Sequence, residues 1–162
     1  MTVRSARGRR WRGQSIVELA VALPMLVWLF CGILDLGRAY YYGVTATDAS
    51  RDAVRMLVTN AAGFGPGVAA GCAAVQAAVT NLDTSPTCPS SGTTAAGGRV
   101  RVVISCWDAG GLCVGNPLGS THNQAVTVDV YYGFQLFTPL ISSMVPGGVI
   151  TLHGRSVMAS TW

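Results

Sequence analysis

Three sets of residues in this 162-residue chain could carry chemistry. The first lies where a basic leader meets an apolar run: Gly13, then Gln14, Ser15, Ile16, Val17 and Glu18. Glu18 is the fifth residue after the glycine and already stands inside the run, where a carboxylate is costly and calls for a partner. Chance placement is the alternative. The second set is four cysteines, Cys72, Cys88, Cys106 and Cys113, all beyond the run. Their chemistry would be oxidation to two disulfides, for which four cysteines allow three connectivities. Cys72–Cys88 and Cys106–Cys113 are favoured because each pair is local. A metal site is the other use of such residues, but the spacing is not that of paired C-x2-C knuckles and only His122 and His153 could assist. Cys31, inside the run, reads as packing. The third set is a drawable triad of Ser105 or Ser142 with His122 and Asp129, which needs a geometry that spacing does not supply. Asp129 is more simply read as solvated on an outward strand face. No G-x-S-x-G, H-E-x-x-H or P-loop occurs, so neither catalysis nor a cofactor is expected.

The element that must position the first set is the apolar run itself. Residues 16–34 read IVELAVALPMLVWLFCGIL, with Glu18 as the one charge. Nineteen such residues match a hydrocarbon core of roughly 30 Å. Arg4, Arg7, Arg9, Arg10 and Arg12 precede the run with no acid among them, which predicts a cytoplasmic N-terminus and an exported C-terminal part. The net charge of +4 belongs to this leader, because residues 14–162 hold six arginines against seven acids. No basic face remains for nucleic acid. The run resembles a signal-peptide core, but no small-x-small site with a polar break follows it. Pro24 predicts a kink, and Tyr40, Tyr41 and Tyr42 predict membrane exit near residues 36–42.

Beyond the membrane the helix is expected to continue to about Asn60, with Ala46, Ala49, Ala53, Met56 and Leu57 as an apolar stripe and Asp48–Arg51 and Asp52–Arg55 spaced to pair. FGPG at 64–67 reads as a break. Residues 68–82 read as a short alanine-rich helix with Val68, Cys72, Val75 and Val79 on one face, weakened slightly by Gly71. Residues 83–98 read as a loop tethered by Cys88, expected to become disordered without that tether. Residues 99–105, 125–134 and 148–160 read as strands, with Val126, Val128 and Val130 facing one way and Thr127, Asp129 and Tyr131 the other. The fold class predicted is α+β: a long N-terminal transmembrane and stalk helix carrying a small pilin-like head with a short helix and an antiparallel sheet of about three strands. The expected divisions are a leader at 1–13, the helix at 14–60 and the exported head at 61–162.

The run RGQSIVELAVALP followed by LDLGRAYYYGVTATDASRDAVR resembles the TadE-like proteins, minor pilin or pseudopilin components of the tight-adherence (Flp, type IVb) pilus machinery. The resemblance is specific over about residues 8–60. It implies cutting after Gly13 by a prepilin peptidase, Gln14 as the new N-terminus and Glu18 as an assembly residue. It also implies a single-pass protein of the bacterial inner membrane whose partners are lipid, the peptidase, other Tad/Flp pilins and pseudopilins, and inner-membrane assembly proteins. Leu19 departs from the aromatic that major Flp pilins carry there, and the chain is longer than those pilins. Both points favour the minor class. The competing reading is a disulfide-stabilised binding or adaptor module anchored by one span and never built into a filament. Cleavage of the leader separates the two.

Overall fold

The computed structural model describes residues 11–59, 64–108, 111–112 and 124–160. One helix, α1, runs over Trp11–Thr59 and includes Pro24 in its interior. It begins three residues before the expected Gln14. At 1.5 Å per residue its length is about 70 Å. The two halves of α1 have opposite surroundings. From Gln14 to Phe30 every residue is exposed, including Leu19, Trp28 and Leu29. The most apolar window of the helix has a mean hydropathy of 2.3, and none of it is buried against the other described residues. The distal half buries a stripe of Ala46, Ala49, Ala53, Val54 and Leu57. These residues recur at three- and four-residue spacing, so they share one side of the helix. Met56, expected in the stripe, is instead exposed.

That stripe is the floor of the head. The second helix, α2, spans Phe64–Ala78. FGPG therefore opens the helix instead of breaking the chain. Proline is tolerated in a first helical turn, where its missing N–H would have no intrahelical acceptor. Val75 and Val79 face the core, and Gly71 is buried against α1. A Cβ at Gly71 would sit 3.1 Å from Leu57 Cγ and 3.3 Å from the Ala53 carbonyl oxygen. The residue that weakens α2 by propensity thus lets the two helices approach.

The sheet consists of β1 (Val100–Asp108), β2 (Gly111–Leu112), β3 (Gln124–Gln135) and β4 (Val149–Ser160), antiparallel throughout in the order β2-β1-β3-β4. Its three long strands are those read from the sequence, and β2 adds a two-residue edge. Val100 and Val102 of β1 and Val126, Val128, Val130, Tyr132 and Phe134 of β3 form the buried face over α1 and α2. A short helix α3 (Pro139–Met144) and a 3-10 turn (Pro146–Gly148) link β3 to β4. Gly154 of β4 lies directly on α1: a Cβ there would fall 2.5 Å from the Ala46 carbonyl carbon and 2.6 Å from Thr47 N. Beside this contact Ser50 and Ser156 share a hydroxyl hydrogen bond of 2.7 Å.

The irregular segment after α2 has bonds of its own. Asp83, 5% exposed, accepts from Val100 N at 2.8 Å and Ser85 N at 2.9 Å and pairs with Arg99 at 3.2 Å. Thr87 N donates to the Val100 carbonyl, Val102 N to that of Thr87, and Ser90 N to that of Val102. This segment covers the outer edge of β1, a position that would otherwise offer unpaired backbone groups to other chains.

Candidate processing and assembly site

The motif at the leader border lies on the first turns of α1. Gln14 and Glu18 are both exposed and one helical turn apart, with Gln14 Nε2 3.5 Å from Glu18 Oε1. Gly13 lies inside the same helix. Among the described residues nothing in the head reaches this end, so the carboxylate stands on an exposed apolar stretch of α1. In a hydrocarbon environment it requires a cation or donor beyond Gln14.

A second acid on α1 is treated in the opposite way. Asp35 directly follows the apolar run and is 3% exposed. Its carboxylate accepts from Phe137 N at 3.1 Å, Thr138 N at 2.9 Å and Thr138 Oγ1 at 2.6 Å. Arg38 stands 3.8 Å away and half-exposed, so it adds little beyond these three bonds. Its guanidinium lies 5.5 Å from the Phe134 ring centroid and 5.8 Å from that of Tyr42. Asp35 thereby pins the β3–α3 connection to the helix where the apolar run ends. In the sequence Asp35 stands out only as the first charge after the run. The signal available was a lone acid at that border, but its donors lie 102 and 103 residues away.

The three tyrosines divide. Tyr40 and Tyr41 are exposed, whereas Tyr42 packs into the head at 5.2 Å from Tyr132 and 5.7 Å from Phe134. Burial, with smaller contributions from Tyr42 and Asp83 and against the effect of Arg38, pushes the Tyr132 phenol above its ordinary range, so it stays neutral. The head therefore begins at the level of Asp35, earlier than the tyrosines suggest.

Cys72 and Cys88 form a disulfide that joins α2 to the β1-edge segment. Cys106 is also disulfide-bonded; Cys113 lies outside the described residues. Cys31 is a free, half-buried thiol on α1. Among the described residues no group of histidine, cysteine and acid side chains could hold a metal ion. Asp129 is not the solvated acid expected. It is 9% exposed, 2.7 Å from His153 Nε2 and 3.6 Å from Arg155 Nε, its cross-strand neighbours on β4. His153 also stacks on Tyr131 with centroids 4.6 Å apart. Of the drawable triad, His122 lies outside the described residues, and the histidine that Asp129 meets is a different one. Asp48 and Arg51 pair at 3.1 Å on the exposed side of α1.

A long helix with an exposed apolar half, an acid pinning the head at its border and a small head of helices and antiparallel sheet define an α+β protein whose long helix is a candidate membrane span. Residues 13–55 are similar to the family model described as TadE-like protein, and the match lies wholly on α1, from Gly13 to the core stripe of the head. No curated protein and no solved structure matches the chain.

Proposed function

We propose that the protein is a minor pilin or pseudopilin of a Tad/Flp-type pilus or related secretion system. It is inserted in the inner membrane with its leader in the cytoplasm, cut after Gly13 by a prepilin peptidase, and co-assembled through α1 with other pilins. The observation that carries this reading is that one helix combines the TadE-like match over residues 13–55 with an apolar half that the chain leaves unburied. The same surface serves two states: lipid covers it during storage, and neighbouring helices cover it after assembly.

Glu18 has a specific part in this scheme. Cutting after Gly13 creates an α-amine on Gln14, one helical turn from the Glu18 carboxylate. The amine of an adjacent subunit can take the same role. Such a pair in a low-dielectric setting gains Coulomb energy but loses hydration, so it aligns subunits more than it stabilises them. Glu18→Gln keeps size and removes the charge. It should leave insertion and cutting unchanged while abolishing crosslinks between α1 and its pilin partners. Wild-type crosslinking by Glu18→Gln would remove the pairing role and leave co-assembly standing, whereas absence of such crosslinks in the unsubstituted protein would return it to the class of simple anchored modules.

A further inference from the structure

The β3–β4 connection exposes apolar side chains at an unusual place. Phe137 is 77% exposed and Met144 80%, and Ile141 and Ile150 stand partly open beside them. Residues 130–154 contain no Asp, Glu, Lys or Arg. A charge-free surface with several large apolar groups together is uncommon on a protein that meets only water. Its height on the molecule is set by Asp35, which holds the amides of Phe137 and Thr138. Asp35 immediately follows the apolar run of α1, so the patch lies at the level where that run ends. The two apolar surfaces are continuous. A groove of about 320 Å³ runs between Gly32 and Leu36 on α1 and Phe134, Ile141 and Ile150 on the head. Gly32 belongs to the run itself, and a Cβ there would meet nothing within 4 Å.

We infer that residues 137–146 enter the outer leaflet of the bilayer that α1 crosses, giving the head a second, lateral membrane contact with a lipid acyl chain in the Gly32–Ile141 groove. This rests on the membrane-anchored reading of α1. Lipid is the occupant because the patch continues a lipid-facing surface, carries no charge and sits at the bilayer border. Segments of this kind reach about 5–10 Å into the headgroup and acyl boundary. The contact fixes the rotation and tilt of the head relative to the membrane, which a single helix alone leaves free. Asp35 then has a second purpose: it satisfies backbone donors at a depth where water is scarce.

The test uses the full chain in phospholipid vesicles, in a Cys31→Ser background with both disulfides retained. Single cysteines are placed by Met144→Cys, by Leu26→Cys in the middle of the apolar run and by Ser91→Cys on the far side of the head. Each carries an environment-sensitive fluorophore. Quenching is read with doxyl groups on the acyl chains and with aqueous iodide. The expected result is doxyl quenching and loss of iodide quenching at positions 26 and 144, with the reverse at 91. Position 144 behaving like 91 while 26 remains lipid-quenched would overturn the inference and leave the anchor standing. Iodide access at 26 would overturn the anchor and the inference together. Shielding of 144 from both quenchers would show that protein covers the patch, which also overturns the inference.

Discussion

At the scale of single residues, the two acids of the first half of α1 are the informative ones. Among the described residues Asp35 has three hydrogen-bond donors, whereas Glu18 has the exposed amide of Gln14 at 3.5 Å. One acid is thus buried and bonded within the fold and the other stands exposed on the apolar half of α1. Asp35→Ala leaves two backbone N–H groups and a hydroxyl without an acceptor, at a cost of about 2–3 kcal/mol. The expected outcome is loss of hydrogen-exchange protection at the Phe137 and Thr138 amides in detergent-solubilised protein, with α1 and the sheet retained. Unchanged protection would mean that the connection is held by packing alone. Asp129 teaches a related point. Thr127, Asp129 and Tyr131 do point away from the core as the alternation predicts, but His153 and Arg155 of β4 close over the carboxylate. Which face a strand residue takes is written in its own sequence; who meets it there depends on the register of the next strand.

At the scale of elements, the long helix and the three long strands were legible because their signals are local. Nineteen apolar residues, a spaced alanine stripe and β-branched alternation each act over a few residues. The closures between elements were not legible, since they depend on contacts far apart in sequence. Gly71 and Gly154 illustrate this: by propensity the first only weakens a helix, and nothing local singles out the second, yet both mark close backbone approach to α1. Gly154→Val forces a side chain into the Ala46–Thr47 backbone, which cannot yield as a side-chain tip could. A loss of roughly 3 kcal/mol is expected, read as a lowered thermal midpoint. Gly43→Ala enters open space in the same helix and should gain up to about 1 kcal/mol from helix propensity. A similar response of the two variants would contradict the packing of β4 on α1. The irregular segment 83–98 also differs from a plain tethered loop. Opening the Cys72–Cys88 link, with its sequence separation of 16, should lower stability by about 3 kcal/mol. The Thr87 and Ser90 amides should nevertheless stay protected, because they bond to the β1 edge. Complete exchange of those amides in the Cys72→Ser/Cys88→Ser variant would show that the disulfide alone holds them.

At the scale of the whole molecule, the sequence divides its charge and its hydropathy along one axis. The leader carries five arginines, the first half of α1 carries one acid, and the head begins at a buried aspartate. A permanent anchor would need the span but not a glycine placed five residues before an acid. A subunit delivered to a filament would need both, since cutting at the glycine would supply an amine one helical turn from the acid. The central claim therefore reduces to the covalent state of the N-terminus. Intact-mass spectrometry of the membrane-extracted protein, from cells with and without an active prepilin peptidase, measures it directly. The account expects a chain beginning at Gln14 when the peptidase is active, a full-length chain when it is absent, and a full-length chain for Gly13→Val in both. A leader still attached in the wild-type protein beside an active peptidase would contradict it.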